Sequence, residues 1–199
     1  MKNKKARIAR HVALYDGYLQ LDRYDLEVPG LDSDHRIRTL TNQEMVHSPD
    51  SVLVLIYAAD VDSFVLGREF RTGVFCNQNH HDDPVILECV SGTIETNETP
   101  QDAAKREVYE EAGLKIDCLQ TIAQIYKSPG ILTEKAYIFY TRVAGSPQSG
   151  LYGIDTEEIV TQIEKREKVY ELMDAMNIID SASLLALNWF RAHEKSLTN

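Results

Sequence analysis

The stretch SGTIETNETPQDAAKREVYEEAGLKI, residues 91–116, sets Glu98, Glu107, Glu110 and Glu111 around one Arg106 and between two glycines. Thr99 reads as an N-cap, Pro100 suits the first helical position, and Asp102 stands three residues after the cap. Gly113 falls where a left-handed residue ends a helix. The reading is therefore a helix over 100–112. On it Glu107, Glu110 and Glu111 are spaced i, i+3, i+4 and share one face, while Ala104, Val108 and Ala112 form an apolar stripe beside them. Like charges at that spacing destabilise a helix by a few tenths of a kcal/mol, and no lysine lies four residues after Glu107 to offset this. A solvated acidic face is the plain alternative. A hard divalent cation such as Mg²⁺, held by carboxylates and a carbonyl, resolves the repulsion more fully.

Working outward, the first half of the chain alternates or runs apolar. ARIARHVALYD, GYLQLDRYDLEV, SVLVLIYAA, SFVLGREF and the short VILECV read as strands, as do LQTIAQIYKS and KAYIFYTRV after the helix. CNQNHHDDP reads as a polar loop, because adjacent His80 and His81 on a strand would face opposite ways rather than share a ligand. AGSPQSGLYGIDTEE reads as a second loop. EKREKVYELMDAM and SASLLALNWFRAHEKS carry helical spacing, the latter opening on an Asp180 or Ser181 cap. This order predicts an α+β chain, an α/β/α sandwich with mixed sheets and a central carboxylate-bearing helix. A strand region at 1–48 precedes the main domain at 49–199.

Composition narrows the function. The 199 residues are 43% hydrophobic and 26% charged, an ordinary globular balance with enough apolar material for a core. A net charge of −10 argues against nucleic acid as a partner, since phosphate backbones need clustered Lys and Arg. No run approaches a membrane span, and the basic start MKNKKARIAR is not followed by an unbroken apolar core. Cys76, Cys89 and Cys118 are scattered and lack CxxC spacing, so reduced thiols in a cytoplasmic protein are expected.

Gly92, Glu98, Arg106, Glu107, Val108, Glu110, Glu111, Gly113 and Leu114 fill every fixed position of the pattern that the stretch resembles, the Nudix hydrolase signature. The resemblance implies that Glu107 and Glu111 ligate Mg²⁺, with Mn²⁺ as an alternative ion. Glu110 would be a further ligand or orient a water, and Ser91 would add its backbone carbonyl. It also implies an ion pair of Glu98 with Arg106 bracing loop against helix.

Downstream, YKSPGILTEKAYIFY places Ser-Pro-Gly about sixteen residues past the box, with Glu134 four residues after Gly130. On its own Ser-Pro-Gly is a common turn. In this position it resembles the ADP-ribose pyrophosphatase group, which includes GDP-mannose hydrolases. FVLGREFRTG, LECVSG and IIDSASLLALNWF resemble the same group. By that resemblance Arg71, with Arg68 beside it, reaches the substrate, and Glu88, Gly130 and Glu134 occupy substrate-side positions. The attacking water is activated by Glu157, with Asp155 as the competitor. A solvated loop charge is the bland reading of both. The implied reaction is hydrolysis of a nucleotide sugar, ADP-ribose first, by a homodimer joined through its N-terminal strands. GDP-mannose is the runner-up substrate. A sensor that binds ADP-ribose without cleaving it is the alternative from another class.

Overall fold

The computed structural model describes residues 5–31, 36–154 and 158–198. They form two compact units, one of residues 1–49 with 126–134 and one of 50–125 with 135–199. Residues 126–134 are thus grouped with the N-terminal strands.

The larger unit is a mixed sheet between helical layers. Its centre is β4 (Ser51–Ala58), buried along its whole length, as a continuous apolar run with both faces covered should be. β4 runs parallel to β9 (Lys135–Val143) on one edge. On the other edge its first half pairs with β7 (Val90–Thr93) and its second half with β5 (Ser63–Phe70), both antiparallel. β5 in turn pairs with β6 (Val85–Glu88) and β11 (Ile159–Lys165). β8 (Gln120–Tyr126) and β10 (Gly150–Tyr152) complete the sheet order β10-β11-β5-β4-β9-β8.

Strand alternation sorts the core into two layers. Val52, Val54, Val65 and Val90 point to one face and pack on Ala103, Ala104, Val108 and Ala112 of α2 (Pro100–Ala112). Leu53, Leu55, Leu66, Leu87 and Cys89 point to the other. There they meet Ala186, Leu187 and Phe190 of α4 (Ser181–Leu197) and Val169 of α3 (Arg166–Asp174). This is the predicted α/β/α layering.

The helix ends follow their sequence signals. Thr99 accepts the Asp102 amide at 3.2 Å, Pro100 opens α2, and Gly113 ends it at φ 65°. Asp180 caps α4 by accepting the Ser183 amide at 2.7 Å.

In the smaller unit β1 (Arg7–Asp16), β2 (Gln20–Pro29) and β3 (Ile37–His47) form an antiparallel sheet. The Leu132 segment bridges Val46 in parallel. Nearly all of β1 is exposed, Ile8 and Tyr15 included.

Three strands escape the sequence reading. β3 does so because IRTLTNQEMVH alternates too weakly. β10 lies within the stretch read as a loop. β11 takes the first residues assigned to a helix, Glu164 and Lys165, because Val160 to Lys165 pair with β5 before helical spacing begins at Arg166. The polar loop at 76–84 follows a short helical turn, α1 (Thr72–Phe75), and His80 and His81 are both exposed in it.

Candidate active site

α2 and the β6–β7 stretch carry the acidic residues to one place. Arg106 is the hub of five hydrogen bonds. Nε and one Nη donate to the two Glu98 carboxylate oxygens at 3.0 Å each. The remaining bonds run to Glu107 at 2.7 Å, Glu110 at 3.0 Å and the Thr93 carbonyl at 3.0 Å. The guanidinium therefore ties the loop before α2 to the helix. A planar fork donating to several carboxylates suits Arg and not Lys.

Glu107 and Glu111 are both buried. Gly92 lies directly under the Glu107 carboxylate: a Cβ there would come within 2.0 Å of its Cδ. Ser91, next along β7, donates its amide to Glu111 at 3.4 Å. Burial, with the charges of Glu107, Glu69 and Glu88 adding to it, pushes the Glu111 carboxyl up to about 9.

A second acidic pair lies on the same face of the sheet. Glu88 is opposite Gly67 in register and two residues from Val90, so it shares the α2 face with Glu69. Arg71 donates to Glu88 at 2.8 Å and to Glu69 at 3.0 Å. Burial still pushes Glu88 up to about 7, against the pull of Arg71. Arg71 is also electrostatically coupled to Glu111.

The other expected residues are distributed differently. Arg68 is offset by one residue from Gly67 and Glu69 and opposes Leu87, so it projects to the α3–α4 face, away from the carboxylates. Its Nε donates to Gln162 at 3.0 Å. Gly130 and Glu134 belong to the smaller unit, where Glu134 pairs with Lys127 at 2.8 Å. Asp155 and Glu157 lie outside the described residues. Two participants were not picked out from sequence. Glu69 was detectable, since it lies two residues before Arg71, which continues the extended backbone just past the end of β5. Thr161, whose hydroxyl donates to the Glu111 carbonyl, had no motif to mark it.

Among the described residues, no three His, Cys, Asp or Glu side chains are grouped so as to hold a metal ion. The Glu107 and Glu110 carboxylates instead turn to Arg106. The donor chemistry nevertheless fits a hard cation. Glu111 is a buried carboxyl among three other carboxylates, and the Gly92 backbone leaves a cradle that any side chain would fill.

A family model described as NUDIX domain matches residues 47–187. The chain is 29% identical over 202 residues to the ADP-ribose pyrophosphatase of Escherichia coli strain K12, covering 100% of this chain and 93% of that protein. It is 27% identical over 186 residues to the Haemophilus influenzae ADP-ribose pyrophosphatase, covering 92% and 85%. Identity to the Salmonella typhimurium GDP-mannose pyrophosphatase is 25% over 150 residues, covering 75% and 77%. A solved structure titled as an ADP compounds hydrolase superposes with a TM-score of 0.72 at 19% identity, over 98% of each chain, and supports the fold.

Proposed function

The chain belongs to the NUDIX domain family, and on that premise we propose that it hydrolyses the pyrophosphate of a nucleoside diphosphate sugar, ADP-ribose to AMP and ribose 5-phosphate. The observation that carries this reading is the buried Glu111 carboxyl, crowded by like charges beside the Gly92 cradle. GDP-mannose is the second substrate. Its namesake relative aligns with 75% of the chain, whereas the two ADP-ribose pyrophosphatases align with 92% and 100%, and that difference favours ADP-ribose.

Glu107, Glu111 and the Ser91 carbonyl would hold Mg²⁺ or Mn²⁺, with Glu110 beside them. When bound, the ion neutralises pyrophosphate charge and makes water more acidic. Arg71 presents a guanidinium suited to phosphate oxygens and is kept in place by Glu88 and Glu69. Arg106 fixes the rotamers of Glu107 and Glu110. Glu157, or Asp155, accepts the proton of the attacking water. Gly130 and Glu134 are assigned to substrate contact.

The N-terminal strands are assigned to homodimerisation, in keeping with an exposed β1 carrying Ile8 and Tyr15. Light scattering on a sizing column should give twice the 22.6 kDa chain mass, and a monomer would contradict the assignment. The partners are otherwise small molecules, with neither nucleic acid nor membrane among them. No helix among the described residues is long and apolar enough to cross a membrane. Three free cysteines suit the reducing cytoplasm.

The test is release of AMP from ADP-ribose with Mg²⁺ by the wild type and by Glu111→Gln. Activity in the wild type, abolished in a folded variant, is expected. Equal activity in the two would refute the metal-ligand role.

A further inference from the structure

On the α3–α4 side of the sheet, across from the carboxylates, lies a cleft of about 280 Å³. Arg68, Asp82, Val85, Leu172, Met176 and Ile179 are among its lining residues. Its volume falls just under the roughly 300–1,000 Å³ of pockets for drug-sized ligands. That is too small for a nucleoside diphosphate sugar and large enough for a compact metabolite.

Three features define what would fill it. Arg68 is half-buried. Among the described residues it makes no ion pair, and its one hydrogen bond, through Nε to Gln162, leaves both Nη groups without a protein acceptor. A half-buried guanidinium with unused donors is complementary to a carboxylate. Asp82, on the opposing loop, accepts no hydrogen bond from the described residues, while its neighbour Asp83 is engaged by the Val85 amide at 2.9 Å. The rest of the wall is mostly aliphatic, with Asn177 as its other polar side chain. Met176 ends α3 in the left-handed conformation, φ 59°, with its N–H bonded to the Met173 carbonyl at 3.0 Å and the Asn177 N–H to the Leu172 carbonyl at 2.8 Å, and the residue is 82% exposed. Thioethers also adapt their shape to what they cover.

An anion alone would meet Asp82 and Asp83, and a cation alone would meet Arg68. We propose that this cleft binds a small zwitterion with an apolar body, an aliphatic or aromatic α-amino acid. Its carboxylate pairs with Arg68, its ammonium with Asp82, and its side chain packs on Val85, Leu172, Met176 and Ile179. The site is separate from the hydrolytic face and does not depend on the substrate assigned there.

Isothermal titration of the wild type with leucine, methionine and phenylalanine tests this. The same titrations are run with 4-methylpentanoate, which lacks the amine, and 3-methylbutylamine, which lacks the carboxylate. Saturable binding of at least one amino acid is expected. Affinity should fall about tenfold or more in Arg68→Gln and in Asp82→Asn, and by a similar factor for each truncated analogue, equivalent to about 1.4 kcal/mol. Asp82 is exposed on a loop, so its variant folds irrespective of Arg68. The proposal fails if the wild type binds none of the three in the millimolar range. It fails equally if either variant, or either analogue, binds as tightly as the wild type with the parent amino acid.

Discussion

At neutral pH the Glu111 carboxyl holds a proton in the metal-free protein, because burial and its acidic neighbours raise it from 4.5 to about 9. A carboxyl raised on folding contributes stability that is complete below its unfolded value and is lost as pH rises through its folded value. The metal-free protein should therefore lose thermal stability from about 4.5 up through about 9, in part through Glu111. Added Mg²⁺ should restore more stability at alkaline than at acidic pH, since it replaces that proton. At one hundred times its Kd, a ligand adds about 2.7 kcal/mol. Glu111→Gln should match the metal-free wild type at acidic pH, lack the Glu111 share of the alkaline loss, and gain nothing from Mg²⁺. A thermal-shift series over pH checks both, and a Mg²⁺ response equal to wild type would sink the assignment. Gly92 makes a second residue-scale case. Gly92→Ala would drive a methyl into the Glu107 carboxylate, which Arg106 holds from the other side. The expected result is a loss of kcat/KM by about tenfold or more, corresponding to about 1.4 kcal/mol of displaced interaction, with the circular-dichroism spectrum preserved. Activity within twofold of wild type would mean that Glu107 moves aside at no cost.

At the scale of elements, α2 was the most legible part of the chain. Its cap, its Pro100 and its terminal glycine are each local signals, and the carboxylate spacing is fixed by the helical repeat. Thr99→Ala removes the acceptor for the Asp102 amide and should cost about 1 kcal/mol in a urea titration. No change would mean that the exposed Asp102 side chain or water takes over the cap. The strands were read less evenly. β4 announces itself as an unbroken apolar run, because both its faces are covered. β11 depends on β5, a partner distant in sequence, while β3 pairs with the preceding β2 but alternates too weakly to give warning of it. The same parity rule explains Arg68. Arg68 and Glu69, adjacent on β5, face opposite ways, and Arg71 bonds on the Glu69 side.

For the whole molecule, the layering of α2 against α3 and α4 across one mixed sheet was legible because each layer has its own apolar stripe. The Glu98–Arg106 contact joins residues only eight apart, close enough for a motif to register. The pairing of Arg71 with Glu88 was less accessible, since it depends on β5 and β6 lying side by side. Substrate choice is a property at this scale, because it is read by parts of the chain outside the box. The most direct measurement is therefore a comparison of kcat/KM for ADP-ribose and GDP-mannose with Mg²⁺, using Glu111→Gln as the control. The account predicts preference for ADP-ribose, abolished in the control. A preference for GDP-mannose, or tight ADP-ribose binding without turnover, would contradict it.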